Sequence, residues 1–397
     1  MVFNVNGRLL KESHSFTYGS VSIPTAREYC YLGIVFTVSG SMTVTQQKLK
    51  QKAFRAYFSL KSSIDMRAVS KLTLFQLFDA LIHPVASYGS PVWLPSTNAV
   101  KAFVSEKSSV EILKLTASDP LERIHLTFLK WTLGVGTKTS NCAVWGDSGR
   151  IPLALSQMKQ VFQYVRRLSE MLNNGSPCLA RFAFEEQCKL QLPWFKQLSG
   201  IYHLCTGETL DERGPRCSPS ILNTNITKIF VTKWEDARNK NGKLGFYNTI
   251  KPEFGLEAYL WPANPISSKE VKRIAQLRSS SHMYGIETGR WGQKRESINF
   301  RLCPSCCDVN ETELLAELPF FEPIIEDEYH VLRTCPAFHD IRLALSDNNK
   351  TCLFANIGMM FHPENVQETA RYARRIHDRR YPKESKPSGT KKRISKD

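Results

Sequence analysis

Leu302-Cys303-Pro304-Ser305-Cys306, answered by Asp327-Glu328-Tyr329-His330-Val331-Leu332-Arg333-Thr334-Cys335-Pro336, are the two stretches that decide how the C-terminal part of this chain folds. Two cysteines two residues apart form a tight knuckle that aims both sulfurs at one point, and a histidine five positions before a third cysteine closes a tetrahedron. The spacing predicts a structural Zn2+ site of Cys303, Cys306, His330 and Cys335, all protein ligands, with no open position for a water. Such a site couples metal binding to folding, so the C-terminal third is expected to need the metal for order. Spacing leaves two exchanges open: Cys307 for Cys306, and His339, four positions after Cys335, for His330. Unrelated buried thiols are the plain alternative in a chain with 11 cysteines. Between the two halves lie Asp308, Glu311, Glu313, Glu317, Glu322, Glu326, Asp327 and Glu328 with no Lys or Arg, a solvated acidic excursion that turns away from a polyanion.

Working outward, 397 residues suffice for two or three domains, and a hydrophobic fraction of 42% is ordinary for a globular protein. The net charge of +16 and a pI near 9.3 are not ordinary. They favour a polyanionic partner, nucleic acid before membrane surface, over a protein that merely happens to be basic. Scattered cysteines in odd number, and no secretory apolar run after Met1, predict a reducing compartment, nucleus or cytoplasm, and no secretion. The best apolar run, Leu72 to Tyr88, contains Gln76, Asp79 and His83, so no membrane span is expected.

Residues 1–40 read as strands: Phe16, Tyr18, Val21 and Ile23 alternate around Gly19-Ser20, and Tyr29 to Phe36 is a β-branched and aromatic run stopped by Ser39-Gly40. So few strands leave an open edge and an uncovered apolar face, so Met1 is expected to stand in the middle of a domain. From Thr45 the period turns helical, with Leu49, Ala53, Ala56 and Leu60 on one stripe and Lys48, Lys52 and Arg55 on another. A second helix is expected from Val69 to about Val85, ending near Pro84, and a third from Ala99 to Leu115.

These pieces resemble a family. Met1-Val2-Phe3-Asn4, Tyr31-Leu32-Gly33-Ile34 before Ser39-Gly40, and His83-Pro84-Val85 leading to Tyr88-Gly89-Ser90 and Trp93 look like the distal part of a non-LTR (LINE-type) retrotransposon reverse transcriptase. The resemblance implies that the first strands are the end of a palm, that Tyr31 and Gly33 belong to a turn gripping the primer end, and that residues 45–115 are a thumb. The polymerases of that family share a Tyr/Phe-Ala-Asp-Asp turn that holds two divalent metals. That turn would precede Met1, and no Asp-Asp pair occurs in this chain. The chain alone is therefore not expected to polymerise.

Residues 116–215 read as mostly helical. Asp119-Pro120 is a cap and first-turn pair, and Leu121 to Leu133 keeps helical period until Gly134. Glu122 to Val135 and Asn141 to Leu153 also resemble the same elements beyond their thumb. His125 and Asp147 read as structural, since no nucleophile or paired carboxylate accompanies them. A linker is expected near 200–221 and a helix from Thr224 to Arg238.

Residues 268–301 are basic, and His282 to Arg290 leading into Arg301-Leu302-Cys303-Pro304 resembles the approach to the C-terminal Cys-Cys-His-Cys module of those elements, which in the family is thought to bind template RNA. Arg290 and Arg295 beside Tyr284 and Trp291 offer phosphate contacts next to stacking surfaces. The same aromatics equally suit a small core over the zinc. After Cys335 a helix is expected from Ala337 to Leu345. From Arg371 to Asp397 there are eleven Lys or Arg against three acids, with Arg371, Arg374, Arg375 and Arg379 on one helical face. This end reads as a disordered or marginally helical arm that binds phosphates or directs nuclear import.

The fold expected is therefore mainly α with a small N-terminal β remnant: palm-remnant strands in 1–40, a thumb-like bundle in 41–118, a helical connector in 119–265, a zinc module in 266–350 and a basic arm in 351–397. The function implied is RNA or DNA binding as the C-terminal part of a LINE-type RNA-directed DNA polymerase without its catalytic aspartates, beside an upstream polymerase portion of the same element. The alternative is a free-standing zinc-dependent RNA- or DNA-binding protein derived from a retroelement. The residues expected to touch nucleic acid are Tyr31, Gly33, Lys48, Lys52, Arg55, Arg290, Arg295, Arg371 and Arg375.

Overall fold

The computed structural model describes residues 16–23, 26–65, 68–173, 178–290, 296–307, 323–346 and 356–382. It divides into two units, Met1–Pro262 and Ala263–Asp397. The protein is mainly α with a small N-terminal β remnant.

Unit 1 begins with two separate antiparallel hairpins, β1 (Phe16–Tyr18) with β2 (Val21–Ile23) and β3 (Glu28–Tyr31) with β4 (Ile34–Thr37). The second turns on Leu32 and Gly33, whose φ angles of 47° and 82° give the twist that a two-residue hairpin needs. Tyr88 donates its hydroxyl to the Leu32 carbonyl at 2.8 Å. β4 is buried, whereas β1, β2 and β3 are exposed throughout. Thr45 clamps β4 to the first helix: its Oγ1 accepts from Val35 N at 3.0 Å and donates to Val35 O at 2.6 Å.

That helix, α1 (Thr43–Ser63), buries Leu49, Ala53, Tyr57 and Leu60, so Tyr57 takes the inward place the pattern offers to Ala56. α2 (Lys71–Leu77), capped by Ser70, runs through a π-turn (Phe78–Ile82) into α3 (His83–Ala86). The run ends at Ala86, close to Pro84 as expected, and Pro84 is accommodated at the start of its last turn, just after the wider π-turn. α4 (Ser90–Trp93) follows, and the expected third helix is in fact two, α5 (Asn98–Phe103) and α6 (Ser109–Ser118). Thr97 and Ser108 cap them separately, each accepting a backbone N–H three residues on, an arrangement that starts a new helix.

α7 (Pro120–Leu133) starts on the Asp119 cap and ends on Gly134 at φ 71°, as its pattern predicts. α8 (Asn141–Ser148), α9 (Leu153–Asn173), α10 (Leu179–Lys189), α11 (Pro193–Thr206), α12 (Pro219–Asn239) and α13 (Gly245–Ile250) complete unit 1. The linker expected at 200–221 is shorter, because α11 continues to Thr206 before Gly207 at φ 73° ends it and Ser218 caps α12. The core holds Trp93, Trp145, Trp234, Phe128, Tyr202 and Tyr247, all fully buried. At Gly146 an added Cβ would meet Trp234 Cζ2 at 2.6 Å, so only glycine lets α8 approach α12 this closely.

Two buried acids tie these helices together. Glu122 accepts from Trp145 Nε1 at 2.9 Å and Leu153 N at 2.7 Å and lies 3.0 Å from His125 Nδ1, while Arg150 Nε reaches His125 Nε2 at 3.4 Å. Asp147 accepts from the hydroxyls of Tyr247 at 3.0 Å and Tyr259 at 2.8 Å. His125 and Asp147 are thus members of a satisfied core.

Unit 2 holds α14 (Ser268–Arg278), entered by a capping box of Ser267 and Glu270, then α15 (Gly285–Thr288), α16 (His339–Ser346), α17 (Ile357–Met360) and α18 (Val366–Arg380). Here the structure differs from the expected arm. Residues 356–382 are folded, and α18 buries Val366, Ala370, Tyr372, Ala373 and Ile376 against α14 and α16. The arginines alone suggest a solvated tail, but Val366, Ala370, Ala373 and Ile376 supply a helical apolar stripe between them. The segment 383–397, with Lys391-Lys392-Arg393, lies outside the described residues. Among the described residues no helix is long and apolar enough to cross a membrane.

Candidate metal centre

Cys303, Cys306, His330 and Cys335 come together in unit 2, with their donor atoms all within 4.8 Å of one another. The first two sit on a knuckle in which the N–H groups of Cys306 and Cys307 donate to Cys303 O at 3.1 and 2.9 Å. Antiparallel pairing of Leu302 with Ile325 brings the chain back beside the knuckle, and Cys303 N donates to Ile324 O at 2.8 Å. Asp327 Oδ1 then accepts His330 N at 2.7 Å, and the turn His330–Thr334 is wide, with Cys335 N donating to His330 O at 2.8 Å. That π-turn places His330 and Cys335 on the same point.

Three of the separations match the edges of a coordination tetrahedron. Zinc–sulfur bonds of about 2.3 Å and zinc–nitrogen bonds of about 2.0 Å require sulfur–sulfur edges near 3.8 Å and a sulfur–nitrogen edge near 3.5 Å. Cys303 and Cys335 sulfurs lie 3.8 Å apart, Cys306 and Cys335 sulfurs 3.7 Å, and Cys306 Sγ is 3.4 Å from His330 Nε2. His330 Nδ1 is 3.0 Å from Thr334 Oγ1, whose hydroxyl donates to His330 O at 3.3 Å. Thr334 Oγ1 therefore accepts a hydrogen bond from Nδ1–H, which leaves the Nε2 lone pair facing the sulfurs.

Electrostatics point the same way. Burial pushes the Cys306 thiol up to about 12, with Cys303 and Cys335 adding to it, and burial also raises Cys303. Burial lowers His330, keeping its imidazole neutral. Crowded sulfurs of which Cys303 and Cys306 resist ionisation by themselves belong to a donor set that a dication would deprotonate. The four residues fit a zinc site. Cys307 turns its sulfur toward Ile324 O at 3.9 Å, and His339 is exposed at the start of α16; neither belongs to the cluster.

Several residues that spacing does not reveal support the centre. Arg342 donates to Cys335 O, and the buried Tyr372 of α18 donates to Leu332 O at 2.8 Å. Arg380 pairs with the buried Glu326 at 3.0 Å, and Glu328 accepts from Ser280 at 2.9 Å and lies 2.9 Å from His282 Nε2. The available signal was a Tyr at helical spacing among arginines, which reads equally as surface.

The residues expected to meet nucleic acid are dispersed. Tyr31 is exposed on β3, and Gly33 lies under the Tyr88 ring, where an added Cβ would stand 3.2 Å from Cε1. Lys48, Lys52 and Arg55 are exposed on α1, and Lys48 Nζ is 3.8 Å from Glu28. In unit 2, Arg290 donates to Glu287 Oε1 at 2.7 Å, and Arg295 lies outside the described residues with Trp291. Tyr284 is buried, its ring centroid 4.2 Å from that of His282, so it belongs to the core of unit 2 and offers no stacking face. Arg371 and Arg375 are exposed on α18, where with Arg374 and Arg379 they line a groove of about 660 Å³. Arg379 is bound by Asp340 and Arg374 faces Glu270 at 3.5 Å. Comparison of the chain with family models, with curated proteins and with solved structures finds no match in any of the three.

Proposed function

We propose that this protein binds RNA or DNA through a zinc-braced unit 2, as the C-terminal part of a LINE-type reverse transcriptase that lacks the palm aspartates. The observation that carries the reading is the Cys303-Cys306-His330-Cys335 cluster with Tyr372 tying the arginine-bearing α18 to its carbonyl at Leu332. Zinc holds the loop, the loop holds α18, and α18 presents Arg371 and Arg375 to phosphates. A net charge of +16 supports a polyanion as partner and the nucleus as its place of action. The resemblance supplies the retroelement assignment, and the metal supplies no chemistry beyond bracing.

The test is binding of a short labelled RNA and DNA by the full chain across a salt series, with zinc and after chelation. Affinity should fall steeply with salt, and chelation should weaken it; a flat salt response would count against the reading. The retroelement assignment is tested in the transcript: an open frame upstream of Met1 encoding the aspartate turn supports it, and an untranslated leader favours the free-standing binding protein.

A further inference from the structure

Unit 1 carries a second cationic surface that differs in kind from α18. The faces of α1 and α7 enclose a groove of about 560 Å³, which adjoins one of about 580 Å³ beside α6 and α8 through the shared Ala117, Arg123 and Asn141. Lys50, Lys61, Lys114, Arg123, Lys130 and Lys240 line the pair of grooves, and among the described residues no carboxylate does, although Lys240, at the far end beside α12, pairs with Asp236 at 2.7 Å. Elsewhere in unit 1 basic side chains commonly find acids, as in Arg150 with Asp79, Arg166 with Glu170, Arg181 with Glu185 and Lys251 with Glu257. In the groove, by contrast, Lys50 and Lys61 rest over the rings of Phe54 and Tyr57, each 5.9 Å from the centroid. Lys130 donates to Thr137 O at 2.7 Å, and burial pushes it down to about 8, with repulsion from Lys243 adding to the fall. Gathering cations without counter-charge costs stability, and an anion in the groove would relieve that cost.

The wall of the groove is aromatic. Trp131 is half-buried, held edge-on by Tyr57 at 5.8 Å and against Phe128 at 5.7 Å, so its ring is fixed in place beside the lysines. A rigid indole beside Lys61, Arg123 and Lys130, which pair with no acid among the described residues, matches a ligand that is flat and anionic by turns, which is the chemistry of an unpaired base on its phosphate backbone. The interior of a duplex and an acidic peptide lack that combination, since one stacks its base faces against each other and the other has none.

We propose that the α1–α7 groove binds single-stranded nucleic acid, with a base against Trp131 and phosphates against Lys61, Arg123 and Lys130. This site stands on its own residues. It extends the nucleic-acid reading to unit 1 and owes nothing to the metal.

The experiment measures anisotropy of a short fluorescein-labelled oligouridylate with the full zinc-loaded chain over a potassium chloride series. The variant Lys61→Gln/Arg123→Gln/Lys130→Gln is compared with Arg167→Gln/Lys196→Gln/Lys228→Gln, which removes the same charge from the exposed surface elsewhere. The groove variant should lose about tenfold or more in affinity and lower the salt slope by about 2, since each phosphate contact on a single strand contributes about 0.7. Trp131→Leu should weaken binding about tenfold while Trp131→Phe largely preserves it, because stacking needs a ring. Equal losses in the two triple variants, or competition by polyglutamate as strong as by unlabelled oligouridylate, would overturn the proposal. In chelated protein the groove variant must still bind less than its control. If chelation leaves affinity unchanged while the groove variant loses it, the zinc-linked reading fails and the groove stands.

Discussion

Cys306 Sγ and His330 Nε2 stand 3.4 Å apart although 24 residues separate them in the chain. Only the return of the chain through the Leu302–Ile325 pairing makes that approach possible. Cys303→Ser or Cys335→Ser should therefore release zinc and lower the melting temperature of unit 2, because each removes a sulfur from a buried vertex. Metal content by atomic emission and melting by circular dichroism check this; unchanged zinc and melting in both variants would reject the centre.

Thr334→Val removes no ligand but leaves His330 Nδ1 without its 3.0 Å partner. Zinc affinity should fall about ten- to hundredfold, as is usual when the group orienting a ligating histidine is lost. Competition with a calibrated chelator measures it. Cys307→Ser and His339→Ala should match wild type, and a loss in either would reassign the ligands.

Asp119 caps α7, accepting Leu121 N at 2.9 Å, yet burial pushes its carboxyl up to about 6. The folded protein then holds this proton more tightly than the unfolded chain, whose aspartates titrate near about 3.9. The stabilisation is complete below about pH 4 and is lost as pH rises through about 6, at most roughly 3 kcal/mol. Asp119→Asn keeps a capping oxygen without a charge, so its advantage over wild type should grow from pH 4 to pH 7 in thermal melts; a difference that does not change with pH would contradict this.

Glu122→Gln tests the buried network of unit 1. The carboxylate uses both oxygens, Oε1 for Trp145 and His125 and Oε2 for the Leu153 N–H. An amide would turn its NH2 toward one of those donors, so a loss of about 2 to 4 kcal/mol is expected from urea unfolding. A loss below about 0.5 kcal/mol would show that the network relaxes freely.

The lesson about legibility lies in particular elements. Asp119-Pro120 and Gly134 mark both ends of α7 locally, so its boundaries were open to inspection. The end near Pro84 was legible as well, since the run stops at Ala86, but the π-turn at Phe78–Ile82 was not, because no local residue announces one. Tyr284 offered either a stacking face or a core, and packing against His282 decided for the core.

While packing chose Cys306 over Cys307 and His330 over His339, the sequence by itself determined a three-cysteine, one-histidine donor set built on Cys303 and Cys335, the predominance of helix, and the excess of positive charge. These follow from residue type and short spacing, which local backbone geometry converts directly into structure. Tertiary structure alone decided that α18 folds onto the metal module through Tyr372. It also decided that the cations between α1 and α7 share a groove that no carboxylate of the described residues lines. Both depend on surfaces meeting from residues distant in the chain, and charge and period along one helix say nothing of what packs across from it.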